Sequence, residues 1–198
     1  MANTSRINGF KPVKHLNGSP YNGQCNIYEI AAADATAVFV GDLVSSTAAT
    51  GTEGYETVGV VGTTQQTTGS GLVGAVVGFV VDPSGSLNTP QYRAALTKRL
   101  VYVADSDDLV FEVQDGGTVP CTQALIGSNT GYTIGSGSTT TGTSAATTGA
   151  TVPATTVTLP LKILGFVQRP DNEHAAASQK LLVKINVHAY GSMGTNVS

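Results

Sequence analysis

Residues 99–114 read RLVYVADSDDLVFEVQ, and this stretch decides the fold class. Apolar side chains recur at every second position on both sides of an acidic connection, first at Leu100, Tyr102 and Ala104 and then at Leu109, Phe111 and Val113. A period of two, carried by β-branched and aromatic residues, is typical of β-strands. The stretch therefore predicts two antiparallel strands joined as a hairpin by residues 105–108.

Other parts of the chain have the same character and predict further strands at residues 25–30, 38–44, 57–63, 72–81, 161–168 and 181–189. The run at 72–81, LVGAVVGFVV, is apolar at nearly every position, which favours a strand buried on both faces. Asp82-Pro83-Ser84-Gly85 predicts a turn. Residues 121–129 could form one helical turn or a short strand. The expected fold is all-β: an antiparallel β-sandwich or β-barrel of jelly-roll type.

The length of 198 residues favours one domain, which we place at residues 25–190, followed by a tail at 191–198. Only 12% of the residues are charged, so Thr, Ser, Asn and Gly must cover most of the surface. A neutral polar surface suits a chain that packs into an assembly. The net charge of −3 and the scattered Lys and Arg argue against a nucleic-acid partner.

Two segments are expected to lack regular structure. Residues 1–24 contain Gly or Pro at positions 9, 12, 18, 20 and 23 and predict an extended N-terminal arm, either folded back on its own domain or laid over a neighbouring subunit. Deleting this arm should leave the β-domain folded. Residues 131–160 form a Ser/Thr/Gly-rich stretch, predicted to be a long loop that returns to strand form near 155–159.

The two cysteines, Cys25 and Cys121, are far apart in the sequence. They could close a long loop as a disulfide, but distant cysteines without metal-ligand spacing favour two thiols. The chain begins with no apolar leader and has no apolar run long enough to cross a membrane, which predicts synthesis in the cytosol and no membrane partner.

Candidate chemistry is sparse. Asp105, Asp107 and Asp108 lack the spacing of a calcium loop and predict a solvated hairpin loop. His174 is expected on a surface loop, and His188 on the exposed polar face of its strand. No motif for nucleophilic catalysis, phosphate binding or metal binding occurs. The sequence therefore predicts a protein that is not an enzyme and has no cofactor or metal.

Three parts of the chain, in order, carry a family resemblance. They are GFKPVKHLNGSPYNGQ at 9–24, ATAVFVGDLV at 35–44, and residues 99–114 followed later by LKILGFVQRPDNE at 161–173. Together they resemble small virion structural proteins of tailed bacteriophages, and within that family the capsid decoration, or cement, proteins.

The resemblance implies a homo-oligomer, a trimer at three-fold positions or else a dimer, that is made in the host cytoplasm and binds the outer capsid surface of the virion. Its partner would be the phage major capsid protein, whose neighbouring subunits it bridges. Apolar and aromatic residues of the arm are the expected contacts: Phe10, Pro12, His15, Leu16 and Tyr21. The alternative is a receptor- or glycan-binding structural protein of the virion, suggested by the Thr-rich stretch.

Overall fold

The computed structural model describes residues 3–47, 51–60, 71–81 and 89–191 and confirms the all-β prediction. The strands are Lys11–His15 (β1), Asn26–Ile30 (β2), Leu43–Ser46 (β3), Val58–Val60 (β4), Leu72–Phe79 (β5), Arg99–Ala104 (β6), Leu109–Gln114 (β7), Asn129–Thr130 (β8), Tyr132–Thr133 (β9), Thr147–Thr148 (β10), Leu161–Phe166 (β11) and Lys180–Ile185 (β12). Residues 123–125 form a 3-10 turn. The turn predicted at 82–85 and the tail beyond residue 191 lie outside the described residues.

Within the described residues, the strands form two five-stranded antiparallel sheets and one two-stranded pair. The first sheet has the order β1-β7-β12-β11-β8, and the second has the order β2-β6-β5-β3-β4. Strand β9 pairs with β10. Two sheets packed face to face make the fold a β-sandwich, so the sandwich is the correct member of the predicted pair, and the described strands form no closed barrel.

The apolar core lies on both faces of the second sheet. Leu43, Leu72 and Ala104 contribute to a cluster shared with the first sheet, whereas their neighbours Val44 and Val73 belong to a second cluster on the opposite face. Successive side chains of a strand point to opposite faces, so both faces of β3 and β5 are buried. The prediction that residues 72–81 are buried on both faces is confirmed for Leu72–Val76.

The second sheet curls around its own cluster. Glu29 of β2 forms a parallel bridge with Thr57, the residue before β4, so the two edge strands meet at one point. The Glu29 carboxylate is buried and accepts hydrogen bonds from the backbone N–H groups of Thr52 and Glu53 at 3.0–3.2 Å. The bonds tie the 51–53 loop to the sheet edge.

The predicted hairpin is wrong, although both of its strands exist. Strand β6 lies between β2 and β5 in the second sheet, and β7 lies between β1 and β12 in the first. Residues 105–108 therefore cross from one sheet to the other, and we call them the crossover loop. An alternating pattern identifies a strand, but its pairing partner depends on long-range packing.

The N-terminal segment folds back on its own domain, which is one of the two alternatives predicted for it. Lys11–His15 is the edge strand β1, paired with β7, and Phe10 is 1% exposed in the shared core. The chain then turns back, so that the N–H groups of His15 and Tyr21 donate to the carbonyls of Ser19 and Val13 at 2.8 and 3.2 Å. From Phe10 onward the segment packs as part of the domain, because the Phe10 side chain lies in the shared core.

The Thr-rich stretch is packed rather than a free loop. Strands β9 and β10 pair within it, and Ser144, Ala146 and Thr148 are buried. Buried hydroxyls need partners, and Thr148 Oγ1 donates to Asp115 Oδ1 at 3.0 Å. Residues 155–159 form turns, so the strand predicted there is wrong.

Candidate functional site: a cleft beside the crossover loop

An open cleft of about 690 Å³ lies where the crossover loop meets the N-terminal segment, residues 3–24. The strand registers explain its position. His15 at the end of β1 is opposite Leu109, and Asn26 at the start of β2 is opposite Val103. These two residues therefore flank the crossover loop from the two sheets, and with Tyr21, Asp105, Asp107 and Tyr190 they line the cleft.

His15 and Asp108 join the N-terminal segment to the crossover loop. His15 Nδ1 lies 2.8 Å from Asp108 Oδ1, and the Ser106 hydroxyl donates to the same oxygen at 2.6 Å. The hydrogen bond from Ser106, followed by that from His15, lowers the pKa of the Asp108 carboxyl. The backbone N–H of Leu16 also donates to the Asp108 carbonyl at 2.9 Å. The contact fixes one wall of the cleft.

A set of hydroxyls and carboxylates holds two other residues that line the cleft, Asp105 and Tyr190. The Tyr28 hydroxyl donates to Asp105 Oδ2 at 2.6 Å, and Asn26 Nδ2 donates to the same oxygen at 2.9 Å. The Tyr190 hydroxyl donates to Glu56 Oε2 at 2.5 Å. Burial, followed by the hydrogen bond to Asp105, raises the pKa of Tyr28, and burial raises that of Tyr190 to about 12. Both phenols therefore remain protonated donors at neutral pH.

Cys25 lines the cleft but is not activated for nucleophilic chemistry. Burial, followed by the charge of Asp105, raises the pKa of its thiol, whereas a reactive thiol needs a lowered pKa. Cys25 and Cys121 are both free, which confirms their interpretation as thiols. Among the described residues no group of three or more His, Cys, Asp or Glu side chains could hold a metal ion.

The cleft includes two of the five contact residues proposed from sequence, His15 and Tyr21, both partly buried. Pro12 is partly buried within β1, and Leu16 is 50% exposed at the turn after it. Phe10 is the exception, because its side chain is buried in the core of its own chain. That expectation is corrected by the packing of Phe10 edge-on against Tyr132, with ring centroids 6.3 Å apart.

The two histidines near the C-terminal strand differ. His174 is exposed on a surface loop, as predicted, and stacks on Phe166 with ring centroids 4.6 Å apart. His188 is only 4% exposed, so the prediction of an exposed position is wrong. Strand β12 ends at Ile185, and the chain then passes beside Leu72, which forms a bridge with His188. The alternation therefore does not continue to His188.

Sequence reasoning missed most of the cleft. In the sequence, Asp105 and Asp107 indicate only a poor calcium loop, and nothing local links them to Asn26 or Tyr190. The presence of Tyr190 requires the chain after β12 to return to the crossover loop, which is a tertiary contact. A shared acidic and aromatic character is the one signal that could have grouped these residues.

Comparison of the chain with protein-family models, with curated proteins and with solved structures finds no match. Among the described residues, no helix is long and apolar enough to cross a membrane.

Proposed function

We propose that this chain is a capsid decoration protein of a tailed bacteriophage, which binds the outside of the assembled head and bridges neighbouring major capsid subunits. In this role it is a structural component of the virion, acts as a homo-oligomer, with a trimer favoured, and catalyses no reaction. The proposal rests on the family resemblance of residues 9–24, 35–44, 99–114 and 161–173.

The observation that carries the proposal is that these separated stretches form one connected unit. Strand β1 pairs with β7, and the N–H of Phe10 donates to the Gly41 carbonyl at 2.8 Å. Arg169 forms a two-pronged ion pair with Glu112 of β7 at 2.9 and 3.0 Å. Stretches that share a resemblance and also contact one another support a common structural role better than scattered similarities would.

The surface composition supports the same role. Charged residues are 12% of the chain, which is about half the usual share. Electrostatic repulsion between subunits is therefore weak. A protein that binds only the expanded head stabilises that state by mass action. Repeated weak contacts around the shell then add through avidity.

The test mixes the purified full chain with undecorated expanded heads and with unexpanded precursor heads. We expect saturable, stoichiometric co-sedimentation with the expanded heads, and a higher temperature of head disruption. Failure to bind any head would refute the proposal. Binding to host cells or to glycans, without binding to heads, would instead support the receptor-binding alternative.

A matched pair of variants tests the N-terminal contact surface. Leu16→Asp places a charge on an exposed apolar residue of the N-terminal segment, and Val157→Asp does the same at a residue that is 64% exposed outside it. We expect Leu16→Asp to weaken head binding and Val157→Asp to leave it unchanged. If the two substitutions changed head binding equally, the N-terminal segment would not be part of the contact surface.

A further inference from the structure

The cleft beside the crossover loop contains carboxylate oxygens without partners. Both hydrogen bonds to Asp105 are made to Oδ2, so its Oδ1 makes none within the described residues. Asp107 is exposed, and within the same residues its carboxylate makes neither a hydrogen bond nor an ion pair. These oxygens are acceptors that remain available to a ligand.

No basic side chain among the described residues balances this charge. The cleft lining includes no Lys or Arg, and His15 is engaged with Asp108. His188 lies close to the loop, where burial lowers the pKa of its ring and outweighs the opposite effect of Asp107 and Asp105. The negative charge of Asp105 also contributes to the raised pKa values of Tyr21, Cys25 and Tyr190. The cleft is therefore a region of negative potential.

Aromatic rings provide an independent feature of the same cavity. Tyr190 is 51% exposed, yet its hydroxyl is fixed by Glu56. The Tyr21 hydroxyl donates to the Gln24 carbonyl at 3.0 Å, which holds that ring as well. Fixed tyrosine rings beside carboxylates are suited to a planar cation, since the ring face attracts positive charge. A guanidinium group can also bind a carboxylate through two hydrogen bonds.

We propose that this cleft binds an arginine side chain presented by a partner protein, with Asp105 and Asp107 accepting from the guanidinium and Tyr21 and Tyr190 contacting its plane. That the partner is the major capsid protein rests on the proposed function. The preference for a guanidinium rests on the charge and aromatic lining of the cleft alone.

The test uses two small probes of the same shape. N-acetyl-arginine methylamide carries the guanidinium, and N-acetyl-citrulline methylamide replaces it with a neutral urea group. Each is titrated into the isotopically labelled full chain while backbone amide NMR shifts are recorded. We expect saturable shifts around residues 21–26 and 105–109 with the arginine probe, at a Kd on the order of millimolar, and none with the citrulline probe.

Variants with equal changes of net charge complete the test. Asp107→Asn should weaken binding of the arginine probe about two- to fivefold, whereas Glu173→Gln, at an exposed acid outside the cleft, should not. Equal shifts with both probes, no saturation by about 50 mM, or equal effects of the two variants would each overturn the proposal. The experiment needs no phage head, so the two proposals are tested separately. Failure of the arginine probe to bind would not contradict the decoration function, and failure of head binding would not contradict the arginine site.

Discussion

Ala104 and Leu109 lie in different sheets, although only the crossover loop separates them in the chain. Ala104 pairs with Ala75 in the second sheet, and Leu109 pairs with His15 in the first. The stretch that identifies the fold class is thus the link between the two layers of the sandwich. The cleft forms where the crossover loop, in passing between the two sheets, meets the N-terminal segment.

Shortening the crossover loop distinguishes the observed connection from a hairpin. With Ser106 and Asp107 deleted, the remaining residues span about 10 Å only when fully extended, and packed sheets are about 10 Å apart. We expect a loss of about 3 kcal/mol or more in the free energy of unfolding, or a melting temperature lower by about 6–12 °C.

The control for this deletion is insertion of two glycines after Asp107, which should cost under about 1 kcal/mol. A hairpin would accept the deletion, because two-residue connections are its commonest form. A melting temperature unchanged by the deletion would contradict the crossover.

Phe10 tests whether the N-terminal segment belongs to the domain. Phe10→Ala should reduce the free energy of unfolding by about 3–5 kcal/mol, since it leaves a cavity in the shared core. Leu16→Ala, at an exposed position in the same segment, should change it by less than about 0.5 kcal/mol. Urea denaturation of both variants measures the difference. If the two had equal effects, Phe10 would not be a core residue.

Asp42 predicts a pH dependence of stability. Its carboxylate is buried and accepts hydrogen bonds from Ser144 Oγ at 2.5 Å and Phe39 N at 2.8 Å. Burial, only partly offset by these bonds, raises the pKa of Asp42 to about 6. The folded state then holds the proton more tightly than the unfolded state, so the free energy of unfolding should fall by up to about 3 kcal/mol as pH rises from about 4 to about 6.

Asp42→Asn should abolish this particular dependence, because an amide accepts from Phe39, donates to Ser144 and carries no charge. At pH 7 we expect the variant to be at least as stable as the parent. Asp171→Asn, at an exposed carboxylate, serves as the charge-matched control. Thermal denaturation across the pH range tests the prediction, which fails if Asp42→Asn retains the parent slope.

Arg93 joins two loops through its guanidinium. This fully buried side chain donates to the carbonyls of Thr97, Thr36, Ala31 and Asp34 at 2.6–2.9 Å. Lysine cannot reproduce the planar donor geometry, so Arg93→Lys should cost about 3 kcal/mol in the free energy of unfolding. Chemical denaturation should show a much smaller change for Arg169→Lys, whose side chain is 44% exposed.

The two thiols should react in a fixed order. Cys25 is partly buried, whereas Cys121 is buried and its pKa is raised to about 11 by burial and then by Asp115. With iodoacetamide at pH 8, mass spectrometry should find Cys25 modified first and Cys121 modified only after denaturation. Asp105→Asn should speed the reaction of Cys25 about twofold, because it removes a charge that disfavours the thiolate. Faster modification of Cys121 would contradict the burial of that thiol.

Strand positions could largely be predicted from the sequence, whereas their partners could not. The alternation at residues 181–185 matches side chains that are buried on one face of β12, which is a local property, whereas five of the six residues of β7 are buried. Pairing depends on which strand covers which face, and β6 and β7 have similar patterns in different sheets. The cleft escaped prediction for the same reason, since Asn26, Asp105 and Tyr190 come together only through long-range packing.

The sequence by itself determined that this protein is all-β and carries little charge, because period-two alternation and composition are local properties of the chain. Tertiary structure alone decided that the acidic residues 105–108 cross between sheets, that Phe10 is core and that His188 is buried. The physical reason is that burial depends on what covers a residue, and here the covering elements are distant in the chain. The same distant contacts place Tyr21 and Tyr190 beside Asp105 and so create the cleft.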